Sequence, residues 1–168
     1  MYKPINMKYL LDKKVVFFDF DDTLCIHLSA MYDEETRECF LEALETQQLN
    51  FFMNRKLFMP NSRMFALAKL LKENGADIRC LSFVTDERAG SLKEYFLDGL
   101  MPFHSITLGQ SKAEFIVKYC EERSINLEDA LLIDDAYANL RECNSAGIDA
   151  IQPFAIATYL EEVFEKCN

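Results

Sequence analysis

At 168 residues the chain is long enough for one domain that buries a core without staples. Half of its residues are hydrophobic and 27% are charged, the balance of an ordinary soluble globular protein. Its net charge of −10 excludes an extended nucleic-acid or anionic-membrane surface, which needs clustered Lys and Arg. A metal-centred pocket can still bind one phosphate, because local charge outweighs the distant sum.

In chain order, the first strong signal is Val15-Val16-Phe17-Phe18. Four consecutive β-branched or aromatic residues read as a strand buried on both faces, as in the interior of a parallel sheet. The strand, predicted over Lys14 to Phe18, runs straight into Asp19-Phe20-Asp21-Asp22-Thr23. Burying unpaired carboxylates is costly, so three acids at such a strand end need cations or an open crevice. Asp19 and Asp21 lie two apart and can point to the same side, with Asp22 directed elsewhere.

Roughly 35 residues without a clear strand follow, longer than a typical connection. Asp33 to Leu49 has a helical pattern, and Phe51-Phe52-Met53 and Leu57-Phe58-Met59 flank Arg55 and Lys56. A small helical insertion over about 26–59 is predicted, with its aromatic and Met residues as packing. A helix begins near Pro60-Asn61-Ser62, carrying the stripe Met64, Leu67, Ala68, Leu70 and Leu71. Strands are predicted at Asp77 to Ser82, Ser105 to Leu108, Ala130 to Ile133 and Asp149 to Ile151. Helices between them carry Leu92, Tyr95, Phe96 and Leu100, then Phe115, Ile116, Tyr119 and Cys120. Gly75 and Gly147 stand where a helix would be capped at its C-terminus before the next strand.

Alternating strands and helices with short loops argue an α/β fold: a Rossmann-like, doubly wound, mainly parallel five-stranded sheet with a short helical cap insertion. The chain reads as a single domain over 1–168, its core at about 14–25 and 60–153. The six cysteines (Cys25, Cys39, Cys80, Cys120, Cys143, Cys167) show no CxxC pair and read as reduced core residues. No apolar run approaches the ~18 residues of a membrane span and no signal-peptide pattern opens the chain, so the cytoplasm is the expected compartment.

In open α/β sheets ligands bind at the carboxyl ends of the strands. The chemical side chains collect there: Asp19 and Asp21 after the first strand, Ser82 ending the second, Lys112 opening the helix after the third, Asp134 and Asp135 after Leu131-Leu132-Ile133. Four carboxylates, one hydroxyl and one amine on one edge suggest nucleophilic and acid/base chemistry on a phosphoryl group. His27 and His104 have no partner at readable spacing and receive no ligand role.

The motif DxDxT at Asp19, Asp21 and Thr23, followed in order by Ser82, Lys112 and Asp134-Asp135, resembles the four motifs of the haloacid dehalogenase superfamily. The resemblance spans about Lys14 to Pro153 apart from the insertion. It implies a Mg²⁺-dependent phosphomonoester hydrolase that acts on a small phosphorylated substrate through an aspartyl-phosphate. Asp19 would be the nucleophile. The metal would be held by the side chains of Asp19 and Asp134 and the backbone carbonyl of Asp21. Crowded by other acids, Asp21 would carry the proton, giving it to the leaving oxygen and then taking one from water. Ser82 would bond a phosphoryl oxygen, and Lys112 would offset charge building at phosphorus. Asp135 would fix a metal-bound water or Lys112. Thr23 would bond locally in the turn, and Asn139 would order the following loop or helix start. Arg55 and Lys56, basic residues in an acidic chain, would bind substrate if the insertion overhangs the site.

An acid at Asp21 favours phosphoryl transfer over carbon–halogen cleavage, because the dehalogenase branch has none at the matching position. A 5′(3′)-nucleotidase, a phosphomutase and a non-catalytic phosphate-binding protein remain alternatives on the same fold. The nucleotidases carry Gly-Val after the second acid, where this chain has Asp22-Thr23.

Overall fold

Alternate residues of the strand β1 (Val15–Phe18) face opposite layers, and every one of them is fully buried. The computed structural model describes residues 7–27, 58–107 and 109–156. A short helix α1 (Met7–Leu11) precedes β1 and inserts Leu10 into the core. Two three-residue strands, β2 (Cys25–His27) and β3 (Phe58–Pro60), pair antiparallel, with Cys25 opposite Pro60 and His27 opposite Phe58. Then follow α2 (Ser62–Glu73), β4 (Asp77–Phe83), α3 (Glu87–Phe96), β5 (Phe103–Ile106), α4 (Lys112–Arg123), β6 (Ala130–Ile133), α5 (Tyr137–Ser145) and β7 (Asp149–Ile151).

The main sheet has the order β5-β4-β1-β6-β7, with every pairing parallel. In register, Val15 lies between Asp77 and Ala130, and Phe18 between Cys80 and Ile133. The chain leaves β1 toward β4 on one side and later returns to β6 on the other, so the strand order reverses at β1. Val16 and Phe18 join Met64, Leu67 and Leu71 of α2 and Leu92 of α3 in one core layer. Val15 and Phe17 join Ala113, Ile116 and Cys120 of α4 and Cys143 of α5 in the other. That is the doubly wound α/β arrangement read from the sequence.

The helix boundaries follow their caps. Asn61, Asp86 and Ser111 accept from the backbone N–H groups of Met64, Ala89 and Glu114 at the starts of α2, α3 and α4. Gly75 and Gly147 adopt φ of +91° and +84° after α2 and α5, as their placement predicts.

Several expectations are corrected. β5 begins at Phe103, two residues before the predicted Ser105. As an edge strand it leaves Ser105 exposed and His104 half-buried, so it carries no continuous apolar run to mark it. The segment after the acidic motif opens and closes with strand: β2 and β3 form a stem from which the insertion springs. The predicted helix at Asp33 to Leu49, the run Phe51-Phe52-Met53, and Arg55 and Lys56 lie within 28–57, outside the described residues. Phe58 and Met59 belong to β3, where Met59, expected to pack, is exposed. Tyr95, assigned to an apolar stripe, points to solvent. No helix among the described residues is long and apolar enough to cross a membrane.

Gly90 sits in the middle of α3, where it faces β5. A Cβ there would meet Phe103 at 3.6 Å and Val84 at 3.9 Å, ordinary van der Waals contact. Glycine inside a helix costs about 0.5–1 kcal/mol relative to alanine. Gly90→Ala should therefore raise the thermal midpoint by roughly 2–4 °C. A lower midpoint would mean that α3 and β5 have no room for the methyl group.

Candidate active site

β1 delivers Asp19 to the carboxyl edge of the sheet, where its backbone N–H donates to the Ile133 carbonyl at 2.8 Å. The chain then turns sharply. Leu24 and Cys25 both donate from their backbone N–H to the Phe20 carbonyl, at 3.0 and 2.8 Å, and Asp22 donates to the Cys25 carbonyl at 2.8 Å. Asp22 takes φ of +52°, a left-handed conformation that Asp tolerates better than most residues. With the turn closed by backbone bonds, the buried Thr23 hydroxyl has no hydrogen-bond partner among the described residues. The local bond expected of Thr23 is not made.

Lys112, the first residue of α4 and 1% exposed, reaches under Asp19. Its Nζ donates to Asp19 Oδ1 and to Asp134 Oδ2, each at 2.6 Å. Asp134 is fixed from its other side by the Ala136 backbone N–H at 2.8 Å to Oδ1 and by Asn139 Nδ2, 3.1 and 3.0 Å from its two oxygens. Asn139 thus orders the start of α5 by gripping the strand-end carboxylate. Carboxylate oxygens of Asp19, Asp134 and Asp135 lie within 4.8 Å of one another. Asp135, expected to fix a metal-bound water or Lys112, presents its carboxylate to the same cluster.

Charge in this cluster does not balance. Burial pushes the Asp19 carboxyl up to about 7; Lys112 opposes that, while Asp134 and Asp21 add to it. Burial alone would pull the Lys112 ammonium down, but Asp19 and Asp134 overcome it and hold it above its usual range. Burial, then Asp134 and Asp22, raises Asp135. Two buried carboxylates share one ammonium, with a third carboxylate beside them. A hard divalent cation would neutralise this excess, and an all-oxygen donor set suits Mg²⁺.

The second half of the site centres on a residue the sequence reading did not select. Lys93 of α3 is 7% exposed. Its ammonium forms an ion pair with Asp21, donates to Ser82 Oγ at 2.9 Å and donates to the Phe83 carbonyl at 3.0 Å. Phe20 closes over it, with its ring centroid 5.2 Å from the charge. Ala89, Lys93 and Leu97 stand four apart and are all buried on one side of this segment, but in the sequence a lysine among apolar helical residues reads as part of a solvated face. Asp21 is therefore opposed by a cation as well as crowded by acids. Ser82, predicted as the strand end, is followed by one more strand residue and is wholly buried. The sheet edge thus carries two lysine-centred groups, Asp19-Lys112-Asp134 and Asp21-Lys93-Ser82.

No protein-family model matches the chain, and no curated protein matches it significantly. Solved structures do resemble it. A haloacid dehalogenase-superfamily hydrolase from Ehrlichia chaffeensis is 17% identical, with a TM-score of 0.55, over 83% of this chain and 86% of that one. A haloacid dehalogenase-like family hydrolase from Streptococcus pneumoniae is 14% identical, with a TM-score of 0.56, over 89% and 99%. A phosphatase from Clostridium acetobutylicum, so described on prediction, is 16% identical, with a TM-score of 0.57, over 83% and 84%. At these identities the likeness establishes the fold, which is that of haloacid dehalogenase-like hydrolases and phosphatases.

Proposed function

We propose that this chain is a Mg²⁺-dependent phosphomonoester hydrolase that acts on a small phosphorylated substrate through an aspartyl-phosphate on Asp19. The observation that carries the reading is the division of the sheet edge into two lysine-centred groups joined through the Asp19-Phe20-Asp21 segment. One half holds a buried carboxylate in an acidic cluster suited to a divalent cation. The other holds a second, partly exposed carboxylate beside a buried hydroxyl.

Asp19, Asp134 and Asp135 would hold the ion, with the Asp21 carbonyl as a further donor. When bound, it supplies positive charge that offsets the repulsion between the Asp19 carboxylate and an incoming phosphate. Asp19 Oδ attacks phosphorus, and the P–O bond to the leaving group breaks with its electron pair going to that oxygen. Asp21 gives the leaving oxygen a proton, then takes one from the water that cleaves the aspartyl-phosphate. Lys112, fixed between Asp19 and Asp134, favours the ionised form of Asp19 against its burial and holds the side chain in place. Ser82 donates its hydroxyl proton to a phosphoryl oxygen.

Phosphate release from para-nitrophenyl phosphate tests the proposal. Release should require Mg²⁺, vanish in excess chelator and return when Mg²⁺ is restored. Undiminished release in chelator would rule out the metal's role. Phosphate binding with no release from any phosphomonoester tried would instead make the chain a phosphate-binding protein on a hydrolase fold.

A further inference from the structure

We infer that Lys93 is a positioning residue that aligns the proton carrier and the phosphate-binding hydroxyl together from the one helix α3. The inference rests on the phosphatase reading and deepens it. An ammonium has three hydrogens and no acceptor capacity. Lys93 directs its three toward Asp21, Ser82 Oγ and the Phe83 carbonyl, so none is left for substrate. Its effect must pass through the residues it holds.

For Ser82 the consequence is directional. Its oxygen accepts from Lys93, so its single proton has to be donated elsewhere. Among the described residues that proton has the Phe83 carbonyl at 3.3 Å, long for an O–H···O bond, and this carbonyl already accepts from Lys93 at 3.0 Å. A phosphoryl oxygen is the stronger acceptor, and Lys93 thereby presets the hydroxyl as a donor to it. For Asp21 the consequence is orientational. Its side chain is 44% exposed and sits next to the left-handed Asp22, whereas the Lys93 side chain is 9% exposed and clamped by Phe20. The ion pair ties the more exposed partner to the buried one, which limits the orientations open to a proton carrier.

Lys93→Met, which retains the length and removes all three donors, tests this in the full chain with Mg²⁺ present. Turnover of an alkyl phosphate, which needs a well-placed acid, should fall by about 100-fold, the scale of a small misplacement of a catalytic group. Turnover of an activated aryl phosphate should fall by no more than about 10-fold, because its leaving group departs with little help. Affinity for inorganic phosphate, measured by calorimetry, should fall severalfold. In the Ser82→Ala background the same change should leave phosphate affinity unaltered, since the donor it orients is gone.

Equal losses with the two substrates, or additive losses of phosphate affinity in the double variant, would overturn the inference. Should Lys93→Met fail to fold, Lys93→Gln keeps two donors and should show the same alkyl-over-aryl imbalance at smaller size; no imbalance would again overturn it. The calorimetric series reads Lys93 even if no phosphomonoester is cleaved, so failure of the phosphatase reading and failure of this one are distinguishable.

Discussion

Asp19→Asn is expected to abolish turnover and, in the same protein, to raise the stability of the metal-free fold. The amide cannot form an acyl-phosphate, so turnover should fall by about four or more orders of magnitude, the scale reached when a catalytic nucleophile is removed. The stability gain follows from the crowding of Asp19 and Asp134 on a single ammonium. Asp19 is pushed from its ordinary 3.8 up to about 7, chiefly by burial. A carboxyl raised in the folded state holds its proton after the unfolded chain has released it. Its contribution is therefore full below about pH 4 and is lost as the pH climbs toward 7. In chelator, the parent protein's thermal midpoint should fall across that window, and the fall should be smaller in Asp19→Asn. At pH 7.5 the variant should be more stable by about 1–3 kcal/mol, or roughly 3–8 °C. Mg²⁺ should stabilise the parent and shift the variant much less. A variant that loses stability in chelator at pH 7.5 would show that the Lys112 bridge to Asp19 outweighs the buried charge.

The legibility of this site in the sequence tracks how its parts are buried. β1 and β6 stand out because both faces are covered, which writes Val15-Val16-Phe17-Phe18 and Ala130-Leu131-Leu132-Ile133 as unbroken apolar runs. The acids that follow them stand out for the same reason, as charges where burial is at its most costly. β5 is an edge strand, and β2 and β3 have three residues each, too few for alternation to register. Lys93 is the instructive omission. A lone lysine between helical apolar residues reads as part of a solvated face, and only its acceptors on two other segments, Asp21 and Ser82–Phe83, hold it inside. Thr23 errs in the opposite direction: a hydroxyl suited to a turn bond is buried in a turn whose backbone already closes itself. Charge partners contributed by distant elements leave no periodicity in the sequence.

Asp21→Asn should separate the two halves of the reaction. The substitution is nearly isosteric, and the amide oxygen can still accept from Lys93, so the placement of the side chain and of Ser82 should survive. Only the capacity to carry a proton is lost. With an alkyl phosphate, whose leaving oxygen is strongly basic, turnover should fall by about 10²–10⁴-fold, the usual contribution of a positioned acid or base. An activated aryl phosphate needs little protonation of its leaving group, so Asp19 can still be phosphorylated. Water then lacks its base, and the aspartyl-phosphate should accumulate. Product should appear as a burst of about one equivalent followed by slow release. Intact-mass measurement after acid quench should show one added phosphoryl group, absent when Asp19 is also changed to Asn. The pattern differs from that expected of Lys93→Met, which disturbs both Asp21 and Ser82 and so weakens phosphate affinity, whereas Asp21→Asn should leave that affinity nearly intact. Steady aryl turnover with neither burst nor trapped adduct would mean that Asp21 is not the shared acid and base. The proton would then have to be carried by another group at the same sheet edge that takes no part in holding the cation.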